Sequence, residues 1–213
     1  MPSQARRICQ ADGVVQRTAA AGLRPPPLPV KPPAPRLLDR SPPLVLLHGW
    51  EPSYRWRSFT AELLEQATLL DVDFVVMVGA LLADVPHTRP IPVTKTSDTA
   101  ELQDELGIDS SQYEGPTGIV GLLSHMASLG GFPTVSLWAA VPHYVAQSPS
   151  PKAELALLRE LEELLSITLP LDEIAEDAEA WERGVNELAS DDPEIAAYVQ
   201  QLEEAKDTTD LPE

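Results

Sequence analysis

Short, mostly apolar runs recur between residues 44 and 141. They lie at 44–47, 74–78 and 134–141, and each has proline or glycine on at least one side. Runs of this kind are typical of strands buried on both faces of a parallel sheet. We therefore expect regular structure to begin at Leu44 and the second strand to end at Gly79.

Apolar positions at helical spacing fill the intervals between these strands. A helix is predicted to open at Ser53 and another to cover 117–129. The stretch PIPVTKTSD at 90–98 predicts an edge strand, and Ser97 precedes a short helix that Gly107 ends. The alternation predicts an α/β domain with a largely parallel sheet flanked by helices.

The chain after residue 148 has an amphipathic helical pattern. Leucines recur on one stripe at 157–165, a second helix is expected over 171–189, and Asp192 and Pro193 suit an N-cap and a first helical position. This region predicts a small acidic α-helical subdomain. Its charge fits either a plain solvated face, which we favour, or a surface that binds a partner.

Charge divides the chain into three parts. Of the formal net charge of -18, residues 1–43 contribute +5, residues 44–147 contribute -8 and residues 148–213 contribute -15. We therefore predict a disordered head at 1–43, an α/β domain at 44–147 and the helical subdomain at 148–213. Because an acidic body repels polyphosphate, we expect no nucleic-acid binding.

The basic head is rich in proline. Residues 24–43 hold nine of the 22 prolines, and proline fixes φ and removes a backbone donor, so an extended, solvated segment is expected. An SH3-type ligand is the alternative interpretation. No apolar stretch reaches the roughly 20 residues that span a bilayer, and the single cysteine, Cys9, leaves no internal disulfide. We expect a cytoplasmic protein without membrane contact or cofactor.

In the segment PLVLLHGW a predicted strand is followed directly by His-Gly. This is the arrangement with which α/β-hydrolases present their oxyanion loop. That fold also requires a nucleophile on a G-x-S-x-G turn. Ser124 lies in a predicted helix and Ser136 in a predicted strand, so neither fits. The sequence also lacks a Walker A loop and a G-x-G-x-x-G motif. Neither a serine hydrolase nor a nucleotide-binding enzyme is supported.

The triplet VPH occurs twice, each time after a buried strand. If those strands are neighbours in the sheet, the two histidines emerge at the same edge, where α/β proteins bind ligands. With one arginine and the glycine-rich turn YEGPTG they make a set of candidate ligand-binding residues: His87, Arg89, Glu114, Thr117 and His143. The alternatives are that the histidines bond loop carbonyls and that the turn is only structural. Two histidines without a third ligand predict no metal site, and no catalytic residue is identified.

Four segments together resemble the actinobacterial branch of the PAC2 family, which is named after proteasome assembly chaperone 2. They are LHGWEPSYRWRSF, VVMVGALLADVPHTRPIPVTKTS, YEGPTGIVGLL and SLWAAVPHYVAQSPSPKAELALL, and the resemblance covers residues 44 to about 205. It implies a phosphorylase-like α/β domain, a helical subdomain and self-association. It also implies a non-enzymatic, chaperone-like or protein-interaction role with a proteasome-related partner.

The alternative function is an enzyme or a small-anion- or nucleoside-binding protein that uses the loops at the strand ends. Some bacterial relatives are called carboxylate-amine ligases, but no nucleotide-binding motif supports that activity here. Relatives begin with an apolar strand and a glycine-rich turn, which residues 1–43 lack. We therefore expect the N-terminal part to be disordered or to lack family strands, as in a truncated or frame-shifted product. A sheet that lacks those strands has an exposed edge, and we expect this edge to favour association.

Overall fold

The computed structural model describes residues 43–115, 117–146 and 149–209, and the backbone of two earlier strands. The strands are β1 (Arg6–Ala11), β2 (Arg36–Leu38), β3 (Leu44–Leu47), β4 (Val72–Ala83), β5 (Val93–Thr96) and β6 (Thr134–Pro142). The helices are α1 (Trp56–Leu69), α2 (Ala100–Leu106), α3 (Ile119–Leu129), α4 (Pro151–Leu165), α5 (Asp172–Asp191) and α6 (Pro193–Thr209), with a 3-10 turn at His143–Val145. The fold is mixed α/β with a sheet flanked by helices, as the sequence predicts.

The sheet has the strand order β2-β3-β1-β4-β6-β5. Strand β1 pairs in parallel with β3 and with β4, so that Ile8 lies opposite Val45 on one side and Val75 on the other. Strand β2 pairs antiparallel with β3. Regular structure thus begins before Leu44, unlike the prediction. The sequence RRICQA lacks an apolar run and does not by itself indicate a strand. It forms β1 because it pairs with two apolar strands, and this pairing outweighs the weak strand propensity of its own residues. The proline-rich stretch lies outside the described residues.

The start of α1 and the end of β4 differ from the predicted positions. Helix α1 begins at Trp56 rather than at Ser53, because Arg55 adopts the left-handed conformation with φ 60° and stops the helix from extending backward. Strand β4 continues past Gly79 to Ala83. The strand therefore reaches farther than its buried apolar run.

The short helix α2 is set by a serine that serves two partners. Ser97 Oγ accepts the Thr99 N–H at 3.0 Å and donates to the Thr134 carbonyl at 2.7 Å. Thr99, not Ser97, is the residue directly before the helix. Gly107 ends the helix with φ 61°, a left-handed conformation that glycine adopts without steric cost, as predicted.

The chain forms two compact units. The first contains Met1–Gly79 and Lys95–Leu137, and the second contains Ala80–Thr94 and Trp138–Glu213. Each of these units combines separate stretches of the chain, whereas the predicted domains at 1–43, 44–147 and 148–213 are contiguous. The two divisions are not equivalent, and the predicted domain boundaries stay a prediction. In the first unit, helices α1 and α3 contribute to a core with the buried faces of β3 and β4. Its buried members are Val45, Leu47, Leu63, Ala67, Val72, Val75, Met77 and Leu123.

The second unit has a smaller core and most of the helical residues. Ile91, Ala139, Val141 and Ala153 are buried together. Helix α6 begins as predicted, because Asp192 Oδ1 accepts the N–H groups of Glu194 at 2.9 Å and Ile195 at 3.3 Å, with Pro193 as the first helical residue. Among the described residues, none of the helices is long and apolar enough to cross a membrane.

Candidate functional site

The first VPH triplet lies in the loop at 84–89, and the second spans the end of β6 and the start of the turn His143–Val145; both belong to the second unit. His87 is only 1% exposed. The Tyr144 hydroxyl lies 2.8 Å from both the backbone N and the Nδ1 of His87. In the neutral tautomer that fits these contacts, the tyrosine oxygen accepts the backbone N–H and donates its own proton to Nδ1. Nε2 then carries the ring proton and donates to Asn186 Oδ1 at 3.1 Å.

This arrangement favours the neutral imidazole. Burial lowers the pKa of His87, and the hydrogen bond to Asn186 opposes that shift only in part. Burial also raises the pKa of Tyr144. Both groups are therefore uncharged at neutral pH, and both ring nitrogens of His87 are already bonded within the protein.

His143 lies in a different environment although its ring is near the same tyrosine. The rings of His87 and His143 approach Tyr144 edge-on, with centroids 5.7 Å and 5.9 Å away. His143 is 45% exposed, and its Nδ1 lies 3.1 Å from Asp84 Oδ1. Tyr198 of α6 contacts His143 with ring centroids 5.3 Å apart. Desolvation, followed by a hydrogen bond to Asp84, raises the pKa of Tyr198. The two histidines thus flank one tyrosine, one buried and one at the surface.

Arg89 is engaged by two carboxylates of α6. Its Nε donates to Asp207 Oδ1 at 2.9 Å, its Nη2 donates to Asp207 Oδ2 at 2.8 Å, and its Nη1 donates to Glu203 at 3.2 Å. The hydrogen bond to Asp207 raises the pKa of Arg89 and lowers that of the carboxyl group. Thr88 also donates to Glu203. The arginine that sequence reasoning assigns to an anion therefore already holds two anionic side chains.

Lys152 of α4 completes the network and was not predicted. Its ammonium group donates to the His87 carbonyl and to the Glu182 carboxylate, the latter at 2.5 Å, and its side chain is 15% exposed. It also borders an open cleft of about 350 Å³, with Ile91, Leu155 and Ala178 among the apolar lining residues. The signal in the sequence was weak: Lys152 is one of four cations after residue 148. The hydrogen bond between His87 and Asn186 could not be found from any local pattern in the sequence.

The remaining predicted site residues, Glu114 and Thr117, belong to the first unit. Both are exposed, and neither takes part in a hydrogen bond or ion pair found among the described residues. Nearby, Glu51 Oε1 accepts the Ile119 N–H at 3.4 Å, so a carboxylate already lies at the start of α3. The ligand-binding role of the five residues stays a prediction. Within the described residues, no group of three or more His, Cys, Asp or Glu side chains is placed to hold a metal ion.

Comparison with known proteins identifies the family. The model of the PAC2 family matches residues 10–189, so the match begins well before residue 44, where the resemblance seen in the sequence starts. The chain belongs to the PAC2 family. Comparison with curated proteins gives no match.

Solved structures of several proteins are similar to the chain. A PAC2 family protein from Streptomyces avermitilis is 50% identical, with a TM-score of 0.70 over 78% of this chain and 70% of that one. A proteasome-assembly chaperone homologue from Mycobacterium tuberculosis is 46% identical, with a TM-score of 0.68 over 78% of this chain and 73% of that one. An archaeal homologue of proteasome-assembly chaperone from Pyrococcus furiosus is 15% identical, with a TM-score of 0.61 over 98% of this chain and 95% of that one, and shows the fold alone.

Proposed function

We propose that the chain is a non-enzymatic, chaperone-like protein that binds proteasome subunits during assembly and associates with itself. The observation that carries the proposal is the state of the polar side chains at the loops of the second unit. Both nitrogens of His87 and all three nitrogens of Arg89 are bonded to neighbouring side chains. Groups in this state fix helices to a loop, and neither the ring nitrogens of His87 nor the guanidinium nitrogens of Arg89 are free to act on a substrate.

The relative from Mycobacterium tuberculosis supports the choice of partner, because it is a proteasome-assembly chaperone homologue and is 46% identical to this chain. The proposal places the chain in the cytoplasm with proteasome subunits. Its net charge of -18 favours a partner with a basic surface. Binding is therefore expected to be faster at low salt than at high salt.

The test uses the full chain and purified proteasome α and β subunits. We expect the chain to elute with α subunits or half-assembled particles on sizing chromatography and to change the rate at which core particles form. An unrelated protein of similar net charge is the control for unspecific electrostatic contact. If the chain elutes separately from every subunit and leaves the assembly rate unchanged, the proposal is wrong.

The alternative, an anion- or nucleoside-binding protein, requires Arg89 to exchange Asp207 and Glu203 for a ligand. It is tested by thermal shift with phosphate and with nucleosides, because a ligand at 100 times its Kd adds about 2.7 kcal/mol. A shift that disappears in both His87→Ala and His143→Ala would favour this alternative over the chaperone-like role.

A further inference from the structure

An open cleft lies between helices α4 and α5, beside the segment that leads into β5. Its volume is about 350 Å³, which is within the range of small-molecule sites. Every residue that lines it belongs to the second unit. Its apolar lining residues include Ile91, Val93, Leu155, Ala156, Ala175 and Ala178. The cleft therefore offers a concave apolar surface that solvent can reach.

One cation on the border of this cleft differs from the other charged residues there. The charged residues of the border are Lys152, Arg159, Glu160, Glu179 and Glu182. Lys152 donates to Glu182, and Glu179 lies 3.8 Å from Arg183. In the part of the chain that the structure describes, Arg159 takes part in no hydrogen bond or ion pair. The border thus carries one positive charge that no anion of the described chain neutralises.

Carboxylates lie close to Arg159 along its own helix, yet it pairs with neither of them. Glu162 and Glu163 follow at i+3 and i+4, the spacings at which ion pairs form on a helix. Glu162 instead accepts the Leu169 N–H at 2.6 Å. Because side chains on a helix lean toward its N-terminus, Arg159 leans toward Leu155, at i-4, and borders the cleft there. Its guanidinium is therefore available to a ligand in the cleft.

A guanidinium beside an apolar surface fits a molecule that has one carboxylate and an apolar body. The planar guanidinium binds a carboxylate at two points. A phosphate monoester also fits, but it carries about two negative charges at neutral pH, and the carboxylates on the border oppose the larger charge. An apolar amine is disfavoured, because Glu179 and Glu182 already have cationic partners whereas Arg159 has no anionic one.

We propose that the cleft between α4 and α5 binds a carboxylic acid with a linear apolar body, whose carboxylate lies on Arg159. The body then lies between the helices and extends toward the pair of Lys152 and Glu182. A chain of about eight carbons suits this length, since the seven residues from Lys152 to Arg159 rise about 10 Å along α4. None of the five residues predicted to bind a ligand lines this cleft. The inference goes beyond the proposed function and does not depend on it.

The first experiment titrates the full chain with octanoate by calorimetry, with butanoate, octylamine and octyl phosphate as comparisons. We expect octanoate to bind with a Kd of about 1 mM or lower. Butanoate should bind at least about tenfold more weakly, because each methylene group that is buried contributes about threefold to fourfold in affinity. If octanoate does not bind at this level, or binds no more tightly than butanoate, the inference is wrong. Tighter binding of octylamine or of octyl phosphate than of octanoate contradicts the choice of a carboxylate.

The second experiment tests the role of Arg159. We expect Arg159→Gln to raise the Kd for octanoate about tenfold or more, because charge-assisted hydrogen bonds are lost. Arg159→Lys should raise it less, since lysine keeps the charge but not the two-point contact. Arg57→Gln is the matched control: it removes the same charge from an exposed helical residue that does not line the cleft. Equal weakening in Arg159→Gln and Arg57→Gln would mean that only overall charge matters, and the site would be rejected.

The third experiment locates the bound octanoate. In the ¹⁵N-labelled chain, amide resonances at 152–160 and 175–182 should shift more than those of the rest of the chain. Ala175→Leu keeps Arg159 but fills part of the cleft, so it should also weaken binding, and its melting temperature without ligand shows that it is folded. Resonance shifts confined to other residues, or an unchanged Kd in Ala175→Leu, would mean that octanoate binds elsewhere and would overturn the inference.

Discussion

Arg89 and Asp207 form a two-point ion pair, in which Nε donates to Oδ1 at 2.9 Å and Nη2 donates to Oδ2 at 2.8 Å. The pair joins the loop that follows β4 to the last turns of α6. A planar guanidinium matches a carboxylate at two points, which fixes orientation as well as distance. Glu203, one turn earlier on the same helix, lies 3.2 Å from Nη1. The loop therefore holds the C-terminal half of α6 chiefly through Arg89, and Thr88 adds a hydrogen bond to Glu203.

Removal of this side chain should loosen α6 locally. We expect Arg89→Ala to speed amide hydrogen exchange at 200–209. Arg89→Lys should give a smaller increase, because lysine keeps the charge but not the two-point contact. Arg183→Ala is the control, since Arg183 reaches only Glu179 at 3.8 Å on the surface of α5. Unchanged exchange at 200–209 in Arg89→Ala would show that the ion pair does not hold the helix.

The Tyr144 hydroxyl should matter more for stability than the exposed histidine beside it. Tyr144→Phe leaves the backbone N–H and the Nδ1 of buried His87 without their partner, which typically costs about 1–3 kcal/mol. His143→Ala should change the free energy of unfolding by less than about 0.5 kcal/mol, because His143 is 45% exposed. Denaturant unfolding of both variants measures the difference. A larger loss in His143→Ala than in Tyr144→Phe would contradict this assignment of roles.

Local pattern predicted the strands from β3 to β6 and most helices well. The run at 44–47 is β3, and the stretch at 90–98 contains the edge strand β5. The Asp192-Pro193 start of α6 is also as predicted, because an N-cap depends on a few neighbouring residues. Strand β1 was missed, since its position depends on β3 and β4 rather than on its own side chains.

The surroundings of the candidate residues could not be predicted in the same way. The sequence indicated that His87, Arg89 and His143 follow buried strands, and the structure has them in one unit. Their partners, however, come from positions far along the chain. Arg89 binds Asp207 and His87 binds Asn186, and no periodicity or motif links such positions. Which carboxylates neutralise Arg89 depends on how α5 and α6 pack.

The N-cap of α6 gives a prediction that is independent of the histidines. Asp192→Ala removes the acceptor for two N–H groups at the helix start, and loss of such a cap costs about 1 kcal/mol. Asp191→Ala is the matched control, because Asp191 is the last residue of α5 and its replacement removes the same charge one residue earlier. We expect a lower melting temperature for Asp192→Ala only. Equal shifts in the two variants would mean that charge, not capping, is responsible.

The buried state of His87 predicts a loss of stability in mild acid. Burial lowers its pKa from the ordinary value of 6.5, and nearby Lys152 acts in the same direction. The hydrogen bond to Asn186 and the charges of Glu182 and Glu203 oppose the shift without reversing it. Above pH 6.5 the imidazole is neutral in the folded and unfolded states. Below it, the unfolded chain takes up a proton that the folded protein resists, so the free energy of unfolding falls as the pH drops toward the folded pKa.

His87→Gln isolates this contribution, because glutamine is polar and does not titrate. Asp207, whose pKa is lowered from 3.8, loses its stabilising effect only at lower pH. The other three histidines are the same in both proteins. Denaturant unfolding at about pH 7.5 and about pH 5.5 should therefore show a larger loss of stability in the native chain than in His87→Gln. Equal losses would mean that the folded protein takes up a proton on His87 as readily as the unfolded chain does, and that burial does not keep the imidazole neutral.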